Sequence, residues 1–139
     1  MIIMTCMIKK DTIVEMNNIY GSIYVKFFVK EALTACNNFL RHIDGNRYKD
    51  FHFYRTVTMS NHTISNTKIE IIQGGLGFGK HPLELSPILH ETTNDTGIKH
   101  MNGTTSMARI EPGSASSEVF ICINDQPELN YGGRRNIDG

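Results

Sequence analysis

Few side chains in this sequence have the means to do chemistry, and Arg55 leads them. It ends the run Phe51-His-Phe-Tyr-Arg55, where a planar, always-charged cation with several N–H donors follows aromatic residues. Read as a strand of period two, the run puts Arg55 on one face with Phe51 and Phe53, leaving the other to His52, Tyr54 and Thr56. Taken alone, an arginine so placed means little. It can run its stem along apolar surface and end in solvent. A second stretch, Gly74-Gly-Leu-Gly-Phe-Gly79-Lys80-His81, comes within one residue of the phosphate-cradling pattern G-x-x-x-x-G-K-[ST]. His81 has no hydroxyl for magnesium, and Pro82 and Pro87 interrupt the helix that such a loop must open. The stretch therefore reads as a strand end turning through glycines, with nucleotide binding a distant option.

The metal-ligating residue types are scattered. Cys6, Cys36 and Cys122 are odd in number, far apart and without a C-x-x-C pair, which fits a reducing compartment. His42, His52, His62, His81, His90 and His100 show no ligand spacing with a thiol, so no metal is expected. The Asn-x-Ser/Thr triplets at Asn61, Asn94 and Asn102 have no secretory signal before them and read as chance occurrences. The apolar start Met-Ile-Ile-Met-Thr-Cys-Met precedes Lys9 and Lys10, the reverse of a secretory signal, and no apolar run approaches the roughly 18 residues of a membrane span. A cytoplasmic location, with no membrane and no nucleic acid as partner, is the expectation.

The elements that must position these residues belong to one domain. The chain has 139 residues, 40% of them hydrophobic, and 14 Lys+Arg balance 14 Asp+Glu with no basic block for a nucleic-acid backbone. Short β-branched and aromatic segments at Thr12–Met16 and Ile23–Val29 flank a hairpin connection over Asn17–Ser22. Between Lys30 and Ile43, apolar residues at 3.6 spacing (Ala32, Ala35, Cys36, Phe39, Leu40, Ile43) predict a helix, with Gly45 as a left-handed C-terminal cap. In that stripe Cys36 is a small core residue rather than a reactive thiol. Strands follow at Phe51–Thr56 and Lys68–Gln73. A loop-like stretch then runs to Gly103, before strands at Thr105–Ile110 and Glu118–Ile123. Many short strands around one helix predict a barrel or sandwich rather than a parallel α/β sheet.

Seven blocks in one order change the standing of Arg55. They are Asn38-Phe-Leu-Arg41, Phe53-Tyr-Arg55, Ile72-Gln-Gly-Gly75, His90-Glu-Thr-Thr93, Thr105-Ser-Met-Ala-Arg109, Ser116-Ser-Glu-Val-Phe-Ile-Cys-Ile-Asn124 and Gly132-Gly-Arg-Arg135. From about Gly21 to Gly139 the chain resembles the cyclophilin-type peptidyl-prolyl cis-trans isomerases of the bacterial branch. The resemblance implies a mainly β fold: a cyclophilin-like closed antiparallel β-barrel with a capping helix, acting on proline-containing peptides or unfolded chains as a cofactor-free monomer. It also implies that residues 1–20 form an N-terminal extension and first strand, and residues 21–139 the cyclophilin-like domain. It implies too that this domain lacks the family's last two strands and second helix.

By the same resemblance Arg55 is the catalytic arginine, Gln73 the glutamine that hydrogen-bonds the substrate backbone, and Phe120 the floor of the proline pocket. Ile71, Ala108, Arg109 and Leu129 match substrate-binding positions of the groove and its rim. The chain departs from the family where Phe-Met would precede the Ile-Gln pair; Glu70 and Ile71 stand there, so part of the hydrophobic wall has changed or comes from elsewhere. It has no tryptophan, which implies weak cyclosporin binding. The altered wall and the missing end keep a second expectation open: a catalytically weak or inactive cyclophilin-derived domain that binds proline peptides.

Overall fold

The computed structural model describes residues 3–8, 12–63 and 65–139, and within 3–8 the side chain of Met4 alone. Lys9 and Lys10, used above in reading the N-terminus, lie outside the described residues, as does the side chain of Cys6. Among the described residues, seven strands form two antiparallel sheets. One joins β1 (Ile3–Ile8), β2 (Thr12–Asn18) and β3 (Gly21–Phe27) in chain order. The other comprises β4 (His52–Val57), β5 (Ile71–Gly75), β6 (Thr105–Met107) and β7 (Val119–Cys122), in the spatial order β4-β5-β7-β6. The expected closed barrel is not seen among the described residues, because no backbone ladder joins the two sheets. What joins them is a side-chain core: Val14 and Met16 of β2 share one buried cluster with Phe39, Tyr48, Phe51 and Val119. The strand expected to be first, beginning at Thr12, is flanked by β1 on one side and β3 on the other, in a continuous register from Ile3↔Asn17 to Thr12↔Phe27.

The helix α1 (Leu33–Asp44) buries Cys36 and Phe39 of the expected stripe and leaves Ala32, Ala35, Leu40 and Ile43 half-buried, while two polar residues outside the stripe, Asn38 and His42, are buried beside them. Its N-terminal residue Ala32 provides no side-chain cap. Glu91 does so instead, accepting from the Thr34 and Ala35 N–H groups at 3.2 and 3.0 Å, so a distant carboxylate meets the positive end of the helix. Gly45 is not the left-handed cap expected. Its φ is −80°, and Asn46, at φ 50°, makes the reversal one residue later, where the chain turns directly into a 3-10 turn over Arg47–Asp50. The stretch read as loop up to Gly103 contains one short helix, α2 (Thr93–Thr96), built on a capping box between Thr92 and Asp95. Among the described residues, no helix is long and apolar enough to cross a membrane.

Candidate active site

The second sheet has two unlike faces. Phe53, Met107 and Val119 look into the core shared with the helix, whereas Val57, Ile69, Ile71 and Leu129 form a separate apolar cluster against which Phe120 packs. The site lies over this second cluster. Gln73 stands opposite Phe120 in the β5–β7 ladder and opposite Arg55 in the β4–β5 ladder, and Ser106 faces Phe120 from β6. Opposed residues of antiparallel strands project from one face, so Arg55, Gln73, Phe120 and Ser106 form a single row across the sheet.

Simple alternation would not have produced that row. Phe53 pairs with Gly74 and Arg55 with Gln73, so three residues of β4 face two of β5 and Tyr54 is the extra one. This β-bulge breaks the expected sharing of a face by Phe53 and Arg55: Phe53 turns to the core and Arg55 to the opposite side. It also brings Tyr54, assigned by alternation to the other face, into contact with Gln73. The guanidinium of Arg55 donates to Gln73 Oε1 at 3.0 Å, and Gln73 Nε2 donates to the Tyr54 hydroxyl at 3.0 Å. Tyr54 in turn donates to Glu118 Oε2 at 2.5 Å.

Gln73 is only 2% exposed, and each end of its amide is held inside the protein. One N–H and one oxygen lone pair remain for a ligand. Arg55, by contrast, is exposed, with donors left over. Phe120 is half-buried and stacks on the His100 ring, centroids 5.6 Å apart at 20°. The His100 ring hydrogen-bonds Asn130 Oδ1 at 3.0 Å, and burial lowers its pKa below the ordinary histidine value. Ile71, on the same face of β5 as Gln73, and Leu129, from a 3-10 turn over Pro127–Leu129, are buried beside the row. Beside Glu70, Ile69 lines the cavity and packs in one cluster with Val57, while the Glu70 carboxylate accepts from the Asn124 side chain at 3.0 Å. Ala108 continues the β6–β7 pairing by donating its N–H to Glu118 O at 2.8 Å, and Arg109 donates to Asn136 Oδ1 at 2.7 Å. All seven residues singled out in the sequence (Arg55, Ile71, Gln73, Ala108, Arg109, Phe120 and Leu129) line one open cavity of about 890 Å³.

Tyr54, Glu118 and His100 are neighbours of the site that sequence reasoning missed. The glycine loop that mimics a phosphate cradle explains Glu118. Gly77 N–H donates to its Oε1 at 2.8 Å, and Ser117 Oγ donates to the same atom at 3.0 Å. A Cβ at Gly75 would come within 2.5 Å of the Glu118 Cδ. The anion this loop holds is a side chain of the protein itself.

The site thus sets an exposed cationic fork beside a half-buried aromatic ring on one face of a pleated sheet. The family described as cyclophilin type peptidyl-prolyl cis-trans isomerase/CLD matches residues 12–135. A curated relative, peptidyl-prolyl cis-trans isomerase A of Dickeya dadantii (strain 3937), is 29% identical over 118 residues, covering 82% of this chain. The chain spans about half of that relative's length, 55%. This protein belongs to the cyclophilin-type peptidyl-prolyl cis-trans isomerase family.

Proposed function

We propose that this chain accelerates rotation about X–Pro peptide bonds in extended or unfolded polypeptides, with Arg55 as the catalytic group. Amide resonance sets a barrier of roughly 18–20 kcal/mol, and the uncatalysed step takes on the order of 10–100 s. No bond is made or broken, so the protein has only to hold the twisted amide better than either planar form. In the twisted state the prolyl nitrogen becomes pyramidal and regains its lone pair. A guanidinium aimed at that nitrogen is worth more there than in the planar states, and its planar fork loses little freedom in reaching it. Phe120 gives the pyrrolidine ring an aromatic floor, so that the carbonyl side turns while the ring stays. Ile71 and Leu129 belong to the cluster against which that floor packs, and Ala108 and Arg109 border the path of the extended peptide.

The observation that carries this reading is the row Arg55–Gln73–Phe120, which places an exposed cation and an aromatic surface on one face over a dedicated apolar cluster. The shared core of β2, α1 and β7 further supports taking the two sheets as parts of one cyclophilin barrel. Two-dimensional NMR exchange on an X–Pro tetrapeptide tests the function without a coupling protease. The wild type is expected to exchange cis and trans at catalytic amounts, and Arg55→Ala to lose about 10²–10³ in kcat/KM, the scale of removing one electrostatic donor from a transition state. Equal inactivity of the two proteins would overturn the enzyme reading.

A further inference from the structure

Three hydrogen bonds join the cation of the site to a buried anion. Arg55 donates to Gln73 Oε1, Gln73 Nε2 donates to Tyr54 Oη, and Tyr54 Oη donates to Glu118 Oε2. The direction is set from both ends. A guanidinium has only donors, so the Gln73 group facing it must be the carbonyl. Glu118 accepts from Gly77 N–H and Ser117 Oγ on its other oxygen, so at this end the Tyr54 hydroxyl must donate. That leaves a Tyr54 lone pair, which only the amino end of Gln73 can use. An amide with no such partner could flip and present its NH₂ to Arg55, which would repel the guanidinium.

We propose that Tyr54 and Glu118 are positioning residues for the isomerase site: anchored by the glycine loop, they lock the Gln73 amide so that its carbonyl holds the Arg55 guanidinium in place. This rests on the function proposed above and deepens it. Glu118 suits the part of anchor, being 4% exposed, acceptor to three donors and packed against Gly75, where a side chain would not fit. Tyr54 suits the part of relay because the bulge at its position supplies the one residue that can reach both Gln73 and Glu118. Burial, helped by the Glu118 carboxylate, raises its pKa well above the ordinary phenol value, so the hydroxyl keeps its proton and remains a donor. Free guanidinium rotation costs the transition state more than substrate binding, since a wandering cation still attracts a peptide but seldom meets the prolyl nitrogen.

Tyr54→Phe, which removes only the hydroxyl, is the deciding variant, with Glu118→Gln as the second. The first readout is the pair of Gln73 side-chain amide protons in a ¹H–¹⁵N spectrum, assigned by their loss in Gln73→Glu. One proton of the wild-type pair is donated to Tyr54, and in Tyr54→Phe the pair is expected to move towards the shifts of a solvated glutamine. The second readout is kinetic: kcat is expected to fall roughly three- to tenfold with KM unchanged, the scale of one hydrogen bond's contribution to positioning. Unchanged Gln73 resonances in Tyr54→Phe, or a raised KM at constant kcat, would overturn the proposal. Should Glu118→Gln fail to fold, Tyr54→Phe decides alone. If wild type and Arg55→Ala prove equally inactive, the proposed function falls, while the Gln73 resonances still decide whether Tyr54 locks the amide.

Discussion

Gly75→Ala puts the cradle around Glu118 to a quantitative test. At Gly75 φ is +154°, a region that residues with a Cβ seldom adopt, and strain of this kind costs about 1–3 kcal/mol. A Cβ there would also lie 2.5 Å from both Oε2 and Cδ of Glu118, well inside ordinary contact. The carboxylate, 4% exposed, would have to move off Gly77 N–H (2.8 Å) or Tyr54 Oη (2.5 Å). Leaving one such buried partner unsatisfied costs about 1–3 kcal/mol, more where charge is involved. The sum is roughly 2–6 kcal/mol, a large part of the about 5–15 kcal/mol that holds a typical domain together. Gly77→Ala is the matched control: φ is +96°, so the strain is similar, but nothing lies within 4 Å of the added carbon. Urea unfolding of the two variants therefore isolates the collision. A difference of about 2 kcal/mol corresponds to a midpoint shift of about 1 M at the usual slope. If Gly75→Ala were no less stable than Gly77→Ala, the glycine loop would not be a cradle for Glu118, and the anchoring drawn from it would fail.

Glu91→Gln removes the charge and one of the two acceptors at the start of α1, and is expected to cost about 1–2 kcal/mol in urea unfolding, with faster amide exchange at Thr34 and Ala35; an unchanged midpoint would show that the helix needs no cap there. Stability is also expected to fall as the pH is lowered from about 7.5 to about 5.5, because burial lowers the pKa of His42 and His100, so that below about 6.5 the unfolded chain takes up protons that the folded chain refuses. At His42 the reason is visible in the bonding: Nε2 accepts the Leu85 N–H at 3.4 Å, while Nδ1 faces the Asn38 carbonyl at 2.8 Å, so a second ring proton would point at a donor. A melting temperature that held steady or rose over that window would contradict this assignment.

Period-two and period-3.6 patterning locates α1 and every strand of the second sheet to within a few residues. It fails where structure is made by something other than an apolar stripe. The helix α2 is four residues held by the reciprocal bonds of Thr92 and Asp95, too short to show a period. The strand β1 is defined by its pairing with β2, and an apolar terminus does not disclose which strand it will meet. The reversal after α1 falls at Asn46 rather than Gly45 because the next turn begins at once, and nothing in the residue types separates these two positions.

The site shows the same division more sharply. Residue types and order single out Arg55, Gln73 and Phe120, and the sheet register places them in one row, because matching a motif needs only the residues themselves. Their support depends on a bulge, and a bulge is one unpaired residue that alternation counts as ordinary. Counted so, Tyr54 belongs on the far face and Glu118 is a charge beside a core strand, and neither has a reason to be near Gln73. With the extra residue at Tyr54, Phe53 fills the core, Arg55 reaches the groove, and the Tyr54 hydroxyl spans Gln73 and Glu118. The glycine loop then has a purpose its near-match to a phosphate cradle hid, since small residues and free N–H groups suit any anion, and here the anion comes from β7's neighbour Glu118. In this fold the residue types of the candidate site are legible one residue at a time, whereas the bonds that hold them exist only once two strands have chosen their register.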